Sequence, residues 1–292
     1  MSTFHVGELA VTGPLPEDES LWTCDFYLYL DSDCHGGYVR NVGILEGKVA
    51  VITGAGQGVG RGIALAMARE GAAIAVVDRN GETAAETVGL IESLSGQASQ
   101  HICDVRNSVE VDACVASIVA TAGTVDILVN NAVEAAVGIP LQDVDDEQFL
   151  ISFASGPFAS FWFMRACFPY LRDGGRVINL RSGTENQSMV GYSAYVAAKS
   201  AVGGLTRAAA REWGRHGITV NALAPFALSP SAEADLAGQP GRLEAVYRQL
   251  SIPRSGDVET DVGRAAVFLA GPDSTFITGC TLSVDGGGSF FA

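Results

Sequence analysis

The chain has 292 residues and a formal net charge of −15 at pH 7, and 48% of its residues are hydrophobic. This length suits one large α/β domain with a short extension, and the hydrophobic content is sufficient for a core, which argues against a disordered chain. Because phosphate-rich partners require clustered Lys and Arg, the acidic excess predicts no nucleic-acid partner and no anionic membrane surface.

The first 44 residues differ in composition from the rest of the chain. They are acidic, contain Pro14 and Pro16, and include one apolar and aromatic run over residues 24–30 (CDFYLYL). Such a run predicts an extra edge strand. We predict an N-terminal extension over residues 1–44 that packs on the surface as an appendage, in preference to a lid or an oligomer contact.

From residue 45 to the end, short apolar strands alternate with helices. The predicted strands are 48–53, 73–78, 100–104, 126–130, 176–180, 219–223 and 281–284. The predicted helices are 58–70, 82–94, 108–121, 145–171 with a break at Gly156-Pro157, 193–215, 231–250 and 258–269. This alternation predicts a Rossmann-type, doubly wound parallel sheet in one domain over 45–292, with ligands bound beyond the carboxyl ends of the strands.

A glycine-rich turn joins the first strand to the first helix. Residues 53–60 read TGAGQGVG. Glycines permit a tight turn and let backbone N–H groups approach a pyrophosphate, while the helix N-terminus contributes partial positive charge. Between a strand and a helix this pattern predicts a dinucleotide site, in which the contacts come from Gly54, Gln57, Gly58, Val59 and Gly60.

An acidic residue ends the second strand. The carboxylate of Asp78 can accept hydrogen bonds from both adenosine ribose hydroxyls, and it repels the 2′-phosphate of NADP. Arg79 follows and partly offsets that repulsion, whereas Gln57 adds no positive charge to the glycine turn. The sequence therefore predicts NAD as the cofactor, with NADP the less favoured alternative.

Tyr195 and Lys199 are four residues apart in the predicted 193–215 helix. That spacing places both side chains on one face, where a cationic lysine is expected to lower the tyrosine pKa from about 10. Tyr195 would then exchange a proton with a substrate oxygen. Ser182, just after the 176–180 strand, would hold that oxygen.

These residues together resemble the short-chain dehydrogenase/reductase family from about residue 45 to the end. The 53–60 turn is similar to the family's TGxxxGxG, residues 130–132 to its NNAG, residues 195–199 to YxxxK, and residues 284–287 to its closing VDGG. Ser182, thirteen residues before Tyr195, matches the family's serine. Each motif is short, but all occur in the family's order and spacing.

The resemblance implies roles for these and further residues. Asp104 and Val105 correspond to the pair placed against the adenine ring, and Lys199 also bonds the nicotinamide ribose. Further cofactor contacts are expected from Asn131, Ala132, Tyr195 and Pro225. The family also implies a homodimer or homotetramer, often packed through helices near residues 155–171 and 193–215.

The chain departs from the family pattern near the expected catalytic residues. Phe153 stands where the family has an asparagine whose amide helps to hold a water near the lysine, and phenylalanine cannot form those bonds. Val133 and Phe226 replace glycines, and Arg181 before the serine is unusual. These apolar substitutions favour a lipophilic ketone or alcohol as substrate, although a sugar or polyol derivative stays open.

The sequence therefore predicts an NAD(H)-dependent enzyme that interconverts a secondary alcohol and a ketone, with Ser182, Tyr195 and Lys199 as its catalytic residues. One alternative is a family member recruited to non-redox chemistry, such as isomerisation, elimination or cyclisation. Another is a cofactor-binding protein with little activity. Retention of all three catalytic residues favours the dehydrogenase.

The six cysteines include no Cys-x-x-Cys motif. Four lie in apolar stretches and are expected to be buried packing residues: Cys103, Cys114, Cys167 and Cys280. A disulfide or metal site built from Cys24, Cys34 and His35 has no support from ligand spacing, so we predict no metal centre. The sequence shows neither a secretory leader pattern nor an apolar run of about 18 residues, which favours a cytoplasmic protein.

Overall fold

The computed structural model describes residues 5–6, 9–10, 43–171, 173–187, 189–228, 238 and 240–291. The chain divides into two compact units, residues 1–41 and residues 42–292. In the first unit, His5–Val6 pairs antiparallel with Leu9–Ala10. The edge strand predicted over 24–30, as well as Cys24, Cys34 and His35, lie outside the described residues, and the role of the extension stays a prediction.

The second unit contains a seven-stranded sheet in which every neighbouring pair is parallel. Its strands are β1 (Val49–Thr53), β2 (Ala73–Asp78), β3 (Ala98–Ile102), β4 (Ile127–Asn130), β5 (Arg176–Leu180), β6 (Thr219–Pro225) and β7 (Thr281–Val284). They lie in the order β3-β2-β1-β4-β5-β6-β7. The strand order reverses between β1 and β4, so the predicted Rossmann-type doubly wound sheet is confirmed.

The helices fall between these strands. They are α1 (Gly58–Arg69), α2 (Gly81–Ser93), α3 (Ser108–Ala122), α4 (Asp146–Phe153), α5 (Ala159–Cys167), α6 (Thr184–Gln187), α7 (Ser193–Trp213), α8 (Arg242–Tyr247) and α9 (Arg264–Ala270). Of the helix predicted over 231–250, the described residues contain only α8. A π-helical turn, Val258–Gly263, leads into α9.

A second π-helical turn, Ala154–Phe158, separates α4 from α5 and contains Pro157. Proline has no N–H to donate, and its ring crowds the carbonyl four residues earlier, so a regular α-helix cannot pass through it. The break predicted at Gly156-Pro157 is therefore confirmed.

Helices cover the sheet on both faces. All five residues of β1 are buried, and neighbouring side chains point to opposite faces. Ile52 packs with Ile63 and Met67 of α1 on one face, while Val51 packs with the cluster of Ile118 and Phe163 on the other. Burial of both faces fixes the strands rigidly, and their carboxyl ends all open at one edge.

Two further predictions concern the burial of the cysteines and the presence of helices that could cross a membrane. Cys103, Cys114 and Cys167 are buried free thiols, as predicted, but Cys280 is exposed. The prediction for Cys280 was wrong because it precedes β7 at the edge of the sheet, where nothing described covers it. Across the described ranges, no helix is both long and apolar enough to cross a bilayer.

Candidate active site

The glycine turn is shaped to leave its backbone open. Gly54 and Gly58 have φ values of +64° and +55°, a region that side chains disfavour. A Cβ on Gly60 would collide with the carbonyl oxygen of Gly54 and lie 2.5 Å from Asn131 Nδ2. The helix therefore packs directly on the turn, while the space beside Gly58 is open, since a Cβ there would meet nothing within 4 Å.

Thr53 and Asn131 join the turn to the neighbouring strand across the point where the strand order reverses. The Asn131 side chain donates to the carbonyls of Thr53 (2.8 Å) and Gly54 (3.1 Å). The backbone amides of Asn131 and Ala132 both donate to Thr53 Oγ1 at 3.0 Å. These four hydrogen bonds hold the ends of β1 and β4 in one fixed arrangement.

The carboxylate of Asp78 closes the other side of the turn. Its Oδ2 accepts from the Gly56 amide at 2.9 Å and its Oδ1 from the Asn80 amide at 3.0 Å. A Cβ on Gly56 would lie 2.8 Å from that Oδ2, so this position too requires glycine. Each oxygen keeps lone pairs that can accept from ribose hydroxyls.

An ion-pair network connects the loops after β2, β3 and β4. Glu134 Oε2 accepts from Arg79 at 2.6 Å and from Arg106 at 3.1 Å. Arg106 also binds Asp104 with two nitrogens, and this pair lowers the pKa of the Asp104 carboxyl. Neither Arg106 nor Glu134 could be predicted from the sequence, because residues 28 positions apart carry no local spacing signal.

These loops surround a cavity of about 350 Å³ at the carboxyl edge of the sheet. Its lining includes ten of the predicted cofactor contacts: Gly54, Gln57, Gly58, Val59, Asp78, Arg79, Asp104, Val105, Asn131 and Ala132. Four others, Gly60, Tyr195, Lys199 and Pro225, lie outside that lining. The open glycine turn and the free carboxylate lone pairs fit the adenosine diphosphate half of a dinucleotide.

Ser182, Tyr195 and Lys199 come together beside the carboxyl end of β5. The Lys199 Nζ donates to the Leu180 carbonyl at 2.7 Å and lies 5.8 Å from the centre of the Tyr195 ring. Ser182 is only 9% exposed, and its Oγ shares a 2.9 Å hydrogen bond with Thr184 Oγ1. The hydroxyls of Ser182 and Thr184, the phenol of Tyr195 and the amine of Lys199 therefore lie close together.

Burial dominates the acid–base properties of these groups. It raises the pKa of Tyr195; a hydrogen bond with Ser182 opposes this, and Glu185 and Tyr192 reinforce it. The expected lowering of this pKa by Lys199 is not found, because burial of the phenol dominates. Burial lowers the pKa of Lys199 to about 8, against the opposing charge of Glu185.

The end of the chain packs against the segment that carries Ser182. Asn186 Nδ2 donates to the Phe290 carbonyl, and Gln187 Nε2 donates to the Gly288 carbonyl, both at 2.6 Å. A Cβ on Gly183 would lie 2.5 Å from Ser289 Oγ. The last residues therefore fix the loop that follows β5.

Comparison with known proteins adds the family. A family model described as enoyl-(acyl carrier protein) reductase matches residues 54–289. The chain is 39% identical over 254 residues to the 12alpha-hydroxysteroid dehydrogenase of a Clostridium species, covering 84% of this chain and 98% of that protein. The chain belongs to the short-chain dehydrogenase/reductase family.

Solved structures agree with this assignment. A short-chain dehydrogenase/reductase from Serratia marcescens is 28% identical with a TM-score of 0.77, covering 84% of this chain and 99% of that one. A gluconate 5-dehydrogenase from Burkholderia cenocepacia, in complex with NADP and tartrate, is 31% identical with a TM-score of 0.78, covering 84% and 96%. The chain is thus an oxidoreductase of a family that binds NAD or NADP.

The short-chain dehydrogenase fold gives Phe153 surroundings that its position in the motif does not reveal. Its ring stacks on Phe149 at 5.1 Å and meets Phe158 edge-on at 6.2 Å. Gly156 lies against α7, where a Cβ would lie 3.7 Å from Ala198, the neighbour of Lys199. Neither Phe153 nor Gly156 has a side-chain amide, so neither position supplies one to Lys199.

Proposed function

We propose that this short-chain dehydrogenase/reductase is an NAD(H)-dependent enzyme that interconverts a secondary alcohol and a ketone. The observation that carries the proposal is the convergence of Ser182, Tyr195 and Lys199 at the same carboxyl edge of the sheet as a glycine turn fit for a dinucleotide. The remaining members of the cofactor set, including Gly60 and Pro225, are proposed contacts on the same grounds.

The roles follow from the chemistry of each group. Tyr195 takes the proton from an alcohol or returns it to a developing alkoxide, and Ser182 donates a hydrogen bond to that oxygen. Lys199, when protonated, favours the tyrosinate by its charge. When bound, the nicotinamide ring supplies or accepts the hydride. Because burial, reinforced by Glu185 and Tyr192, raises the Tyr195 pKa, positive charge brought into the site would favour its ionisation.

NAD is the proposed cofactor because anionic groups occupy the place where a 2′-phosphate would have to bind. Asp78 lies in the cavity lining, and Glu134 neutralises both nearby guanidinium groups, Arg79 and Arg106. A phosphate would have to displace that carboxylate and accept repulsion from Asp78. The relative bound to NADP keeps the alternative open to measurement.

The proposed substrate is a lipophilic, steroid-like alcohol or ketone. The loops around residues 133–139 and 189–191 meet where the Gly138 amide donates to the Gly191 carbonyl at 2.8 Å, shortly before Tyr195 in the chain. They expose four apolar side chains: Val133, Val137, Met189 and Val190. An exposed apolar rim favours an apolar ligand, and the hydroxysteroid dehydrogenase relative supports the same class.

We also propose a homodimer or homotetramer packed through α5 and α7, located in the cytoplasm. The support is a row of partly exposed aromatic rings that runs from α4 through the π-helical turn into α5 and includes Phe149, Phe158 and Phe161. Aromatic residues of this kind are enriched at protein interfaces.

Replacement of the phenol tests the proposed function. A Tyr195→Phe variant keeps the ring but has no exchangeable proton, so turnover should fall by about three orders of magnitude or more while NADH binding is retained. Oxidation of a hydroxysteroid is followed by NADH absorbance and by mass spectrometry of the product. Wild-type turnover in the variant would contradict Tyr195 as the acid/base, and product without a change in cofactor redox state would indicate non-redox chemistry.

A further inference from the structure

A buried ion pair stands between β5 and the catalytic serine. Arg181 and Glu185 have only 11% and 3% of their side chains exposed. The guanidinium donates to both carboxylate oxygens, from Nε at 3.1 Å and from Nη2 at 2.5 Å. Desolvation of two such charges costs about as much as their attraction returns, so stability alone is a weak reason for this pair.

Residues from three other segments of the chain surround the guanidinium of Arg181. Arg181 Nη1 donates to Thr281 Oγ1 of β7 at 2.7 Å, and the ring of Phe291 lies 4.4 Å away. Gly203 of α7, one helical turn beyond Lys199, provides the remaining space, since a Cβ there would lie 2.6 Å from Arg181 Cζ. Three separate segments therefore hold Arg181 in one orientation.

The pair is connected directly to the catalytic groups. The Ser182 amide donates to Glu185 Oε1 at 3.3 Å, while Lys199 holds the preceding Leu180 carbonyl. The backbone on either side of Arg181 is thus fixed at both ends. Glu185 and Tyr192 both raise the pKa of Tyr195, and Glu185 also raises the pKa of Lys199.

We propose that Arg181 and Glu185 form a positioning pair that holds the backbone of Ser182 and balances the charge beside Tyr195 and Lys199. Neither side chain has to touch the substrate: Glu185 acts through the serine amide and through space, and Arg181 neutralises and orients Glu185. This inference rests on the proposed dehydrogenase function and adds two residues to it.

Opposite changes in charge provide the first test. In Glu185→Gln the unpaired Arg181 favours the tyrosinate, so the pH profile of alcohol oxidation should move down by about 0.5–1 unit. In Arg181→Gln the unpaired Glu185 opposes ionisation, so the profile should move up by a similar amount. The double variant should return towards the wild-type profile, because its net charge is unchanged. The control is Arg69→Gln, which removes an ion pair between Arg69 of α1 and Glu259 of the π-helical turn and should not move the pH profile.

A steric change provides the second test without altering any charge. Gly203→Ala should displace the guanidinium and lower kcat/KM about tenfold or more. Gly204→Ala, at the next position of the same helix, has nothing within 4 Å of the added methyl and should retain full activity. Both gain helix propensity, so thermal unfolding of the two proteins separates misfolding from mispositioning.

The outcomes separate the two proposals. Wild-type protein that binds NADH but oxidises no alcohol contradicts the proposed function. An active wild type and an inactive Tyr195→Phe, together with charge variants whose profiles coincide with the wild type or move in the same direction, overturn the positioning pair. If the charge variants fail to fold, equal kcat/KM for Gly203→Ala and Gly204→Ala overturns it instead.

Discussion

Glu134 bridges Arg79 and Arg106, which follow two different strands. All three side chains are about one-third exposed or more, so the pairs contribute little to stability. In the proposed NAD site, the carboxylate occupies donors that the 2′-phosphate of NADP would need. A residue far from the glycine turn in sequence would thereby join Asp78 in the proposed preference for NAD.

Neutralising that carboxylate should shift cofactor preference. Glu134→Gln frees Arg79 and leaves Arg106 paired with Asp104, so the affinity for NADP relative to NAD should rise about tenfold, as measured by titration calorimetry with each nucleotide. Asp112→Asn, which removes an exposed pair with Arg165 on the α3 surface, is the matched control. An unchanged ratio in Glu134→Gln would show that Glu134 does not restrict the phosphate.

Individual residues also mark the limit of sequence reasoning. The spacing of Tyr195 and Lys199 predicted two neighbouring side chains, and they are neighbours. The direction of the Tyr195 pKa was predicted wrongly, since burial is set by elements distant in the chain. The ion pair of Arg181 and Glu185 has helical spacing, but its burial depends on Thr281, Gly203 and Phe291, which no local pattern connects.

At the scale of elements, apolar runs bounded by glycine or charge predicted all seven strands of the sheet. Three strand ends differ from the prediction by two residues and two differ by one, and pairing partners decide the larger differences. β3 begins at Ala98, opposite Ile74, two residues earlier than predicted. β6 extends to Pro225 because Ala224 and Pro225 lie opposite Ser283 and Val284 of β7. Period and composition indicate a strand, whereas its last residue depends on a neighbour.

The turn between β1 and α1 requires close contact between the backbones of Gly54 and Gly60, and this requirement can be tested. Gly60→Ala would force the helix away from Gly54, so NADH affinity should fall about tenfold or more, even though alanine favours helix. Gly89→Ala in α2, with nothing within 4 Å of the new methyl, should raise thermal stability and leave affinity unchanged. Equal affinity in the two variants would contradict the need for this close packing.

At the scale of the whole molecule, the aromatic row of Phe149, Phe158 and Phe161 is the surface that we propose to pack against a second copy of the chain. Phe161 is 45% exposed, and the guanidinium carbon of Arg165 lies 5.4 Å from the centre of its ring. Packed against a second copy, such rings would bury apolar area that water otherwise contacts.

Light scattering tests this assembly. The wild-type mass should be two or four times the 30.3 kDa of one chain, and Phe161→Asp should reduce it because a charge cannot be buried unpaired at the interface. Val109→Asp, at an exposed position in the first turn of α3, should leave the mass unchanged. A monomeric wild type, or an assembly that survives Phe161→Asp, would exclude this surface as the interface.

The contacts between the chain's last residues and the loop after β5 have a consequence for synthesis. Asn186 and Phe290 are 104 positions apart. On the ribosome, Ser182 emerges long before the residues that fix its loop, and the glycine turn and β1 can pair with β2 and β4 in the meantime. The part of the sheet around β1 can therefore form on a growing chain, while Ser182, the proposed catalytic serine, can take its final position only once residues 288–290 have been made.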